Sequence, residues 1–344
     1  MGRQDLCHPI THGPADTLYD AVVTSMLLRV LTAIQLTRLT MALGAVSNIW
    51  FVILITRADQ QYHSLPVHTM PLGMSLAAGA GVAIGLFAYG AALNDLLDVR
   101  HDTTFEPERP IPAGRIRPGQ AVVATVAALI LAVLASLVFA TTWAPIITLA
   151  LASMILFYNT VGKHVPGAGI VTVGLIYAGH MFIANHQLGF TLPVWLILTH
   201  TMAIALAVHQ LEDKRPVLSR RSLLGISAGW LFWSGVIIGI GLDDLALWPE
   251  HRSLVNLGWP LMAVAAFAVV IHWKTRHSGP RSASEKLKRY GAMWQGLFDA
   301  SWLLALGLHG PAAGLGMLAL VSFVAMTVLK ELAGLSGRPL AYRA

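Results

Sequence analysis

The sequence predicts an all-α polytopic membrane protein. Hydrophobic residues make up 56% of its 344 residues and charged residues only 12%, against the roughly 25% charged that is usual for soluble domains. The apolar residues are gathered into several long blocks that together cover well over half of the chain. This distribution excludes a soluble globular protein, and the ordinary content of 31 glycines and 17 prolines excludes a collagen-like or disordered chain.

Several apolar runs have the length of about 17–25 residues that a helix needs to cross a bilayer. We predict ten spans, at 36–56, 70–93, 120–141, 143–161, 166–186, 193–211, 223–242, 255–273, 292–309 and 311–329. The fourth is short and follows the third closely, and only Gly310 and Pro311 separate the last two. Nine spans are therefore the main alternative.

The remaining segments lie outside the membrane. Residues 1–35 are predicted to form an N-terminal cytoplasmic segment, with a short interfacial helix from Leu18 to Gln35. Residues 36–330 form the transmembrane domain and residues 331–344 a cytoplasmic tail. The single Cys7 can form neither an internal disulfide nor a thiolate metal cluster, so any metal ligands are oxygen or imidazole groups.

The distribution of positive charge predicts the orientation. Of the 23 lysines and arginines, all except Arg57 and Arg252 fall on one side of the ten-span arrangement. The positive-inside rule places that side, with the N-terminus, in the cytoplasm. The basic C-terminus favours an even number of spans, and the basic run 274–291 is predicted to be a solvated cytoplasmic loop.

An acidic motif, NDLLDVRHD, follows the second span. Asn94 and Asp98 are four residues apart, as are Asp98 and Asp102, and Asp95 precedes Asp98 by three. In a continuing helix these side chains share one face. Clustered carboxylates at a membrane surface need cations to offset their repulsion and desolvation, and Mg²⁺ suits them because it also accepts water and phosphate oxygens. The alternative is a solvated helix end that only marks the membrane surface.

The next segment reads EPERPIPAGRIRPG. Its prolines restrict the backbone and Gly114 permits a turn, which predicts a rigid cationic loop. The guanidinium groups of Arg109 and Arg115 can bind diphosphate oxygens in pairs. Ordinary positive-inside charge explains these arginines equally well, but it does not explain the prolines.

Taken together, the two motifs resemble the UbiA superfamily of intramembrane prenyltransferases. NDLLDVRHD followed by ERPIPAGRI is similar to the family's first aspartate-rich motif, NDxxDxxxD, and its arginine-proline loop. FYNTVGKHVPGAG is similar to the family's Tyr-then-Lys segment after the fourth helix, here Tyr158 and Lys163. The likeness extends from about residue 36 to 309, with 311–329 as an addition.

The resemblance implies a bundle of nine transmembrane helices, with a tenth as the alternative, around a central cavity. It implies Mg²⁺-dependent transfer of an isoprenyl group from an isoprenyl diphosphate to an acceptor within the membrane, with release of pyrophosphate. The expected partners are an isoprenyl diphosphate, an unidentified acceptor and the lipid bilayer, and no nucleic acid is expected. Neither the acceptor nor the prenyl chain length can be deduced from the sequence.

The family's residue roles carry over by position. Asn94, Asp98 and Asp102 are expected to hold metal, with Asp95 supporting them. Lys163, Arg109, Arg115 and Arg117 are expected to contact the diphosphate, and Asp95 is also expected to take part in substrate binding.

The second acidic motif departs from the family pattern. Where the family usually shows DxxxD on the sixth helix, this chain has HQLED, so that His209 stands in the first position and Asp213 in the second. Glu212 and Asp213 are the expected metal ligands here, and His209 is expected to bind metal or phosphate. The expected catalytic residues are Asp98, Asp213, Lys163 and Tyr158. A homologue with little catalytic activity is the alternative reading of this departure.

Two other functions stay open. Loss of the diphosphate leaves a carbocation that aromatic faces stabilise. The candidates are Tyr158, Phe157, Tyr177 and Phe182, although single aromatic residues in membrane helices more often only pack. If the substrate's own double bond captures the cation, the protein is a membrane terpene cyclase. A transporter or non-catalytic scaffold is the third alternative, and it offers no explanation for the arginine-proline loop.

Overall fold

The computed structural model describes residues 39–243, 247–248 and 253–335, and within these ranges the chain is helical and has no β-strand. The interfacial helix expected at 18–35 and the tail beyond 335 lie outside the described residues. In chain order the helices are α1 (Leu39–Ala58), α2 (Pro66–Thr69), α3 (Leu72–Leu97), α4 (Val99–Phe105), α5 (Pro118–Leu137), α6 (Trp143–Thr160), α7 (Pro166–Gly179), α8 (Leu192–Leu211), α9 (Arg220–Asp243), α10 (Gly258–Thr275), α11 (Pro280–Ala305) and α12 (His309–Leu335).

Local sequence explains where many of these helices begin. Proline occupies one of the first two helical positions in α5, α7, α8 and α11, where its missing N–H costs nothing and its fixed φ already suits a helix. The interiors of α5, α7 and α8 are dominated by apolar residues such as leucine, isoleucine and valine, whose transfer into the bilayer is favourable. These starts lie close to the predicted ones for α5, α7 and α8.

Each predicted apolar run overlaps a helix in the part of the chain that the structure describes. Within that part, seven helices are long and apolar enough to cross a membrane. Two more segments, Ala42–Ala58 and Pro166–Phe182, are apolar but shorter. The all-helical membrane architecture is confirmed, while the exact number of crossings stays a prediction.

The start of α11 corrects the prediction for residues 274–291. These residues were expected to form a solvated loop, but α11 begins at Pro280, well before the expected span at 292. Its first turns bury Ala283, Ser284 and Lys288 against the rest of the bundle. The expectation was wrong because high charge does not require solvation: these residues begin an amphipathic helix, and its buried face includes the charged Lys288.

Six helices form a closed ring around the interior. Neighbouring members of the ring pack against each other in the order α1, α3, α6, α7, α8, α11 and back to α1. Outside this ring, α5 packs on α3 and α6, α9 on α7 and α8, α10 on α11, and α12 on α11 and α1. The outer helices present their apolar side chains outward, as lipid contact requires: only 6% of the α10 segment is buried inside the protein.

Small residues bring helices close together both within the ring and between the ring and the outer helices. A Cβ on Gly44 of α1 would collide with the backbone carbonyl of Ala292 on α11, and one on Gly85 of α3 would lie 2.7 Å from the backbone nitrogen of Ala132 on α5. Such small-residue contacts are the usual means by which membrane helices gain packing energy. They hold the ring helices that carry the polar residues described next.

Candidate active site

A cavity of about 1000 Å³ opens at one end of the ring, where α3, α6 and α8 end and α11 begins. Acidic, basic and aromatic side chains line it together. The lining residues that were predicted as site residues are Asp98, Asp102, Arg109, Tyr158, Lys163, His209, Glu212 and Asp213. The structure thus brings residues from distant motifs together around one cavity.

The first acidic motif sits on a helix that bends without losing its hydrogen bonds. Helix α3 ends at Leu97 and α4 begins at Val99, with Asp98 between them at φ −92° and ψ 5°. The Asp98 amide still donates to Asn94 O at 3.0 Å, and the Asp102 amide donates to Asp98 O at 2.8 Å. The spacing of four therefore keeps the carboxylates of Asp98 and Asp102 on the cavity side.

Lys163 forms an ion pair with Asp98. Its Nζ lies 2.5 Å from Asp98 Oδ1, and the two side chains are 17% and 26% exposed. Lys163 follows α6 in a short helical turn, Gly162–His164, that leads into α7. Because both side chains are partly exposed to the cavity, a ligand that enters it can contact either charge and replace the other residue as its partner.

Arg109 neutralises the other two carboxylates of the motif. Its Nη1 lies 2.7 Å from Asp102 Oδ2 and 3.3 Å from Asp95 Oδ1. The arginine side chain is 9% exposed and both carboxylates are 3% exposed. Because the charges are buried together, each depends on the other for compensation.

The loop that carries Arg109 is folded back onto the helices. Ile111 packs with Ala92 of α3 and Ala121 of α5 in a small separate apolar cluster. Gly114 adopts a positive φ of 70°, which an L side chain would strain. Arg115 donates to the backbone carbonyl of Glu108 and is not among the described residues that line the cavity.

The opposite wall of the cavity is built around Glu212, which follows the last residue of α8. Its Oε1 accepts hydrogen bonds from Lys288 Nζ at 2.7 Å and Ser284 Oγ at 2.6 Å. Its Oε2 lies 3.3 Å from Lys214 Nζ. Burial acts to raise the pKa of Glu212, but the charge and hydrogen bonds of Lys288, Ser284 and Lys214 outweigh it and lower that pKa, which keeps the carboxylate ionised.

The other two predicted residues of the second motif also line the cavity, but their partners lie outside the cluster around Glu212. His209 Nε2 lies 3.1 Å from the carbonyl oxygen of Pro216. Asp213 is 81% exposed and faces Arg215 at 3.6 Å. The helix ends at Leu211 and Asp213 has a left-handed φ of 46°, so the DxxxD register, which requires a continuous helix, does not extend to Asp213.

An apolar pocket of about 220 Å³ adjoins the large cavity. Tyr158 and Tyr177 line both spaces. The smaller pocket is otherwise walled mainly by apolar side chains of α1, α3, α6 and α7, with Asn94, Asn159 and His180 as polar members. His180 is held by its ring nitrogens at 2.6 Å from Tyr177 O and 2.9 Å from Ala45 O.

The predicted metal ligands do not form one cluster. Among the described residues, no three His, Cys, Asp or Glu side chains are arranged to hold a metal ion. The physical reason is that the carboxylates of Asp95, Asp98, Asp102 and Glu212 each face a lysine or arginine instead of one another. The oxygen donors of the first motif are nevertheless of the type that Mg²⁺ prefers, and they lie within one bent helix.

Lys288 is a site residue that the sequence analysis missed. It lines the cavity, is buried, and lies in the segment that was expected to be a loop. A signal was present, because Ser284, Lys288, Gly291 and Gln295 recur at spacings of four, three and four, which is one face of a helix. All four are buried.

Comparisons with known proteins agree with this architecture. A sequence profile of the UbiA prenyltransferase family matches residues 63–297. The chain also resembles a solved structure of digeranylgeranylglyceryl phosphate synthase, a membrane protein, with a TM-score of 0.52 and 17% sequence identity. The superposition covers 80% of this chain and 98% of that one. At this identity the likeness concerns the fold alone. No curated protein sequence shows significant similarity to the chain.

Proposed function

This chain belongs to the UbiA prenyltransferase family, and from that membership we propose that it transfers an isoprenyl group from an isoprenyl diphosphate to an acceptor in the membrane. In this reaction the bond between prenyl C1 and a diphosphate oxygen breaks and pyrophosphate leaves with the electron pair. C1 then bonds to the acceptor, which loses a proton. The observation that carries the proposal is the polar cavity of about 1000 Å³ adjoining an apolar pocket of about 220 Å³.

The polar cavity suits the diphosphate. Lys163 and Arg109 present cationic groups at its wall, and each now holds a carboxylate that a ligand can replace as partner. Positive groups fixed where negative charge develops on the leaving group lower the barrier, because they need no reorganisation at the moment of reaction. Arg115 was also expected to bind the diphosphate. We assign it instead to stabilising the loop, because its side chain donates a hydrogen bond to the backbone carbonyl of Glu108.

Magnesium is part of the proposal. Asp98 and Asp102, with Asp95 and Asn94 behind them, are the residues that would hold it, since their donor set consists of oxygen atoms. When bound, Mg²⁺ supplies positive charge that stabilises the departing pyrophosphate. Lys163 and Arg109 would then shift from these carboxylates toward the phosphate oxygens.

The apolar pocket suits the prenyl tail and the cation that forms at its head. Tyr158 and Tyr177 stand at the junction of the two spaces, where an aromatic face can stabilise a carbocation. Water would capture that cation, so the apolar walls protect it until the acceptor reacts. Tyr158 retains the catalytic role predicted for it.

The topology follows from the same arrangement. We place the cavity on the cytoplasmic side, because its mouth carries the lysines and arginines that the positive-inside rule assigns there. We count ten crossings, with α2 and α4 excluded as too short and α11 included as a crossing that begins in the cytoplasmic wall of the site.

The test uses purified full-length protein and a panel of prenyl diphosphates from C10 to C20 and longer, with Mg²⁺. Consumption of at least one of them with release of pyrophosphate is expected when a suitable acceptor is supplied. If no member of the panel is bound or consumed, the proposal is wrong. Formation of a hydrocarbon or terpene alcohol without any acceptor would show that the protein is a terpene cyclase and not a prenyltransferase.

A further inference from the structure

The wall of the cavity that faces the first acidic motif is cationic. Lys288 is 5% exposed, and its ammonium group reaches the cavity from α11. Lys214, Arg215 and Arg281 line the same wall. Against these four cations stand Glu212 and Asp213, so this wall carries more positive than negative charge.

The carboxylates of this wall already have cationic neighbours. Both oxygens of Glu212 are engaged, one by Lys288 and Ser284 and the other by Lys214. Asp213 is turned outward beside Arg215. A second metal ion would need ligands from this wall, and it would have to displace Lys288 from Glu212 to obtain one.

We propose that Lys288 is a diphosphate-binding residue and that Glu212 is its counter-ion, so that an ammonium group takes the place of a second metal ion on this side. This inference rests on the proposed function, since it assigns the residue that binds the same diphosphate. In the free protein Glu212 compensates a buried charge that would otherwise be costly. When the diphosphate enters, Lys288 Nζ moves from the carboxylate to a phosphate oxygen, which is an equally strong charge-assisted acceptor.

The position of Lys288 supports this assignment. Gly291 and Gln295, one and two turns further along α11, also line the cavity. The lysine therefore lies on the face of α11 that lines the cavity. Lys286, only two residues earlier, points away and donates to Ser278 Oγ at 2.7 Å and to Lys274 O at 3.0 Å.

The test measures binding of inorganic pyrophosphate to the purified full-length protein, once with Mg²⁺ and once with a chelator. Lys288→Met is expected to weaken binding by about tenfold or more in both conditions, as loss of a charge-assisted hydrogen bond predicts. Lys286→Met is the matched control, and its affinity should stay within about twofold, because a charge outside the site contributes little. Equal affinities of Lys288→Met and the wild type would overturn the inference.

Glu212→Gln separates a counter-ion from a metal ligand. If Glu212 is the counter-ion, the variant removes the carboxylate that competes with the ligand for Lys288, and it binds pyrophosphate at least as tightly as the wild type. A loss of Mg²⁺-dependent affinity as large as that of Asp98→Asn would instead make Glu212 a metal ligand and overturn the inference.

A further variant guards against misfolding. The double variant Lys288→Met with Glu212→Gln removes one positive and one negative charge together, so the net charge of the wall is unchanged, and it is expected to bind as weakly as Lys288→Met alone. If the wild type binds no pyrophosphate and no prenyl diphosphate, the proposed function itself fails, which is a different result from either outcome above.

Discussion

The ammonium nitrogen of Lys163 lies 2.5 Å from Oδ1 of Asp98, and this contact joins two motifs that are 65 residues apart in the chain. Both side chains are partly exposed to the cavity, unlike the buried Arg109 cluster beside them. The pair therefore holds the two motifs in register while leaving both charges available to a ligand. In our account Lys163 serves the diphosphate, while Arg109 both holds the site together and supplies charge to the ligand.

Replacing Lys163 by methionine should lower kcat/KM for the prenyl diphosphate by about 100-fold or more, the usual cost of removing one donor that stabilises a developing charge. The measurement is pyrophosphate release. Arg220→Met is the control, because Arg220 begins α9 at the same end and is absent from the described cavity lining. A similar loss in both variants would contradict the role of Lys163.

Replacing Arg109 by alanine should destabilise the protein by about 3–5 kcal/mol, since it leaves two buried carboxylates without a cation. Thermal or denaturant unfolding in detergent measures the effect. Arg115→Ala is the comparison, because its side chain bonds to a loop carbonyl, and it should cost less than about 1.5 kcal/mol. Equal stability of Arg109→Ala and the wild type would show that the cluster is not held by this arginine.

Two glycines give opposite expectations. Gly44→Ala should destabilise the protein by about 1–3 kcal/mol, because the added Cβ collides with Ala292 and forces α1 away from α11. Gly225→Ala in α9 meets nothing within 4 Å and should be neutral or stabilising by about 0.5–1 kcal/mol through helix propensity. Unfolding of the two variants under the same conditions checks the pair. A stable Gly44→Ala would mean that α1 and α11 are not in close contact.

The orientation can be tested with introduced cysteines in a Cys7→Ser background. Ser282→Cys, exposed at the start of α11, should react with a membrane-impermeant maleimide only after the cells are opened. Gln60→Cys, exposed after α1 at the other end, should react in intact cells. The reverse pattern would place the site on the opposite side of the membrane.

The local parts of the site were predictable because they depend on helical periodicity alone. The spacing of Asn94, Asp98 and Asp102 is enough to put them on one side of a helix, and backbone hydrogen bonds maintain that spacing through the bend. The apolar runs were predictable for a similar reason, since the length of a span is set by the thickness of the bilayer.

The long-range parts were not predictable. Nothing in the spacing of residues 209–213 indicates that α8 stops at Leu211 and that Asp213 turns outward with a positive φ. The partner of Glu212 lies 76 residues away, in a segment whose charge suggested a loop. Tertiary packing, which no single segment encodes, decides both points.

The most direct test of the central claim is the fate of a radiolabelled prenyl diphosphate incubated with the purified protein in lipid, with a panel of acceptors and with or without Mg²⁺. Our account predicts a labelled product and one pyrophosphate per product when Mg²⁺ is present, and neither product nor pyrophosphate with Asp98→Asn. Intact substrate under every condition, or undiminished turnover by Asp98→Asn, would contradict it.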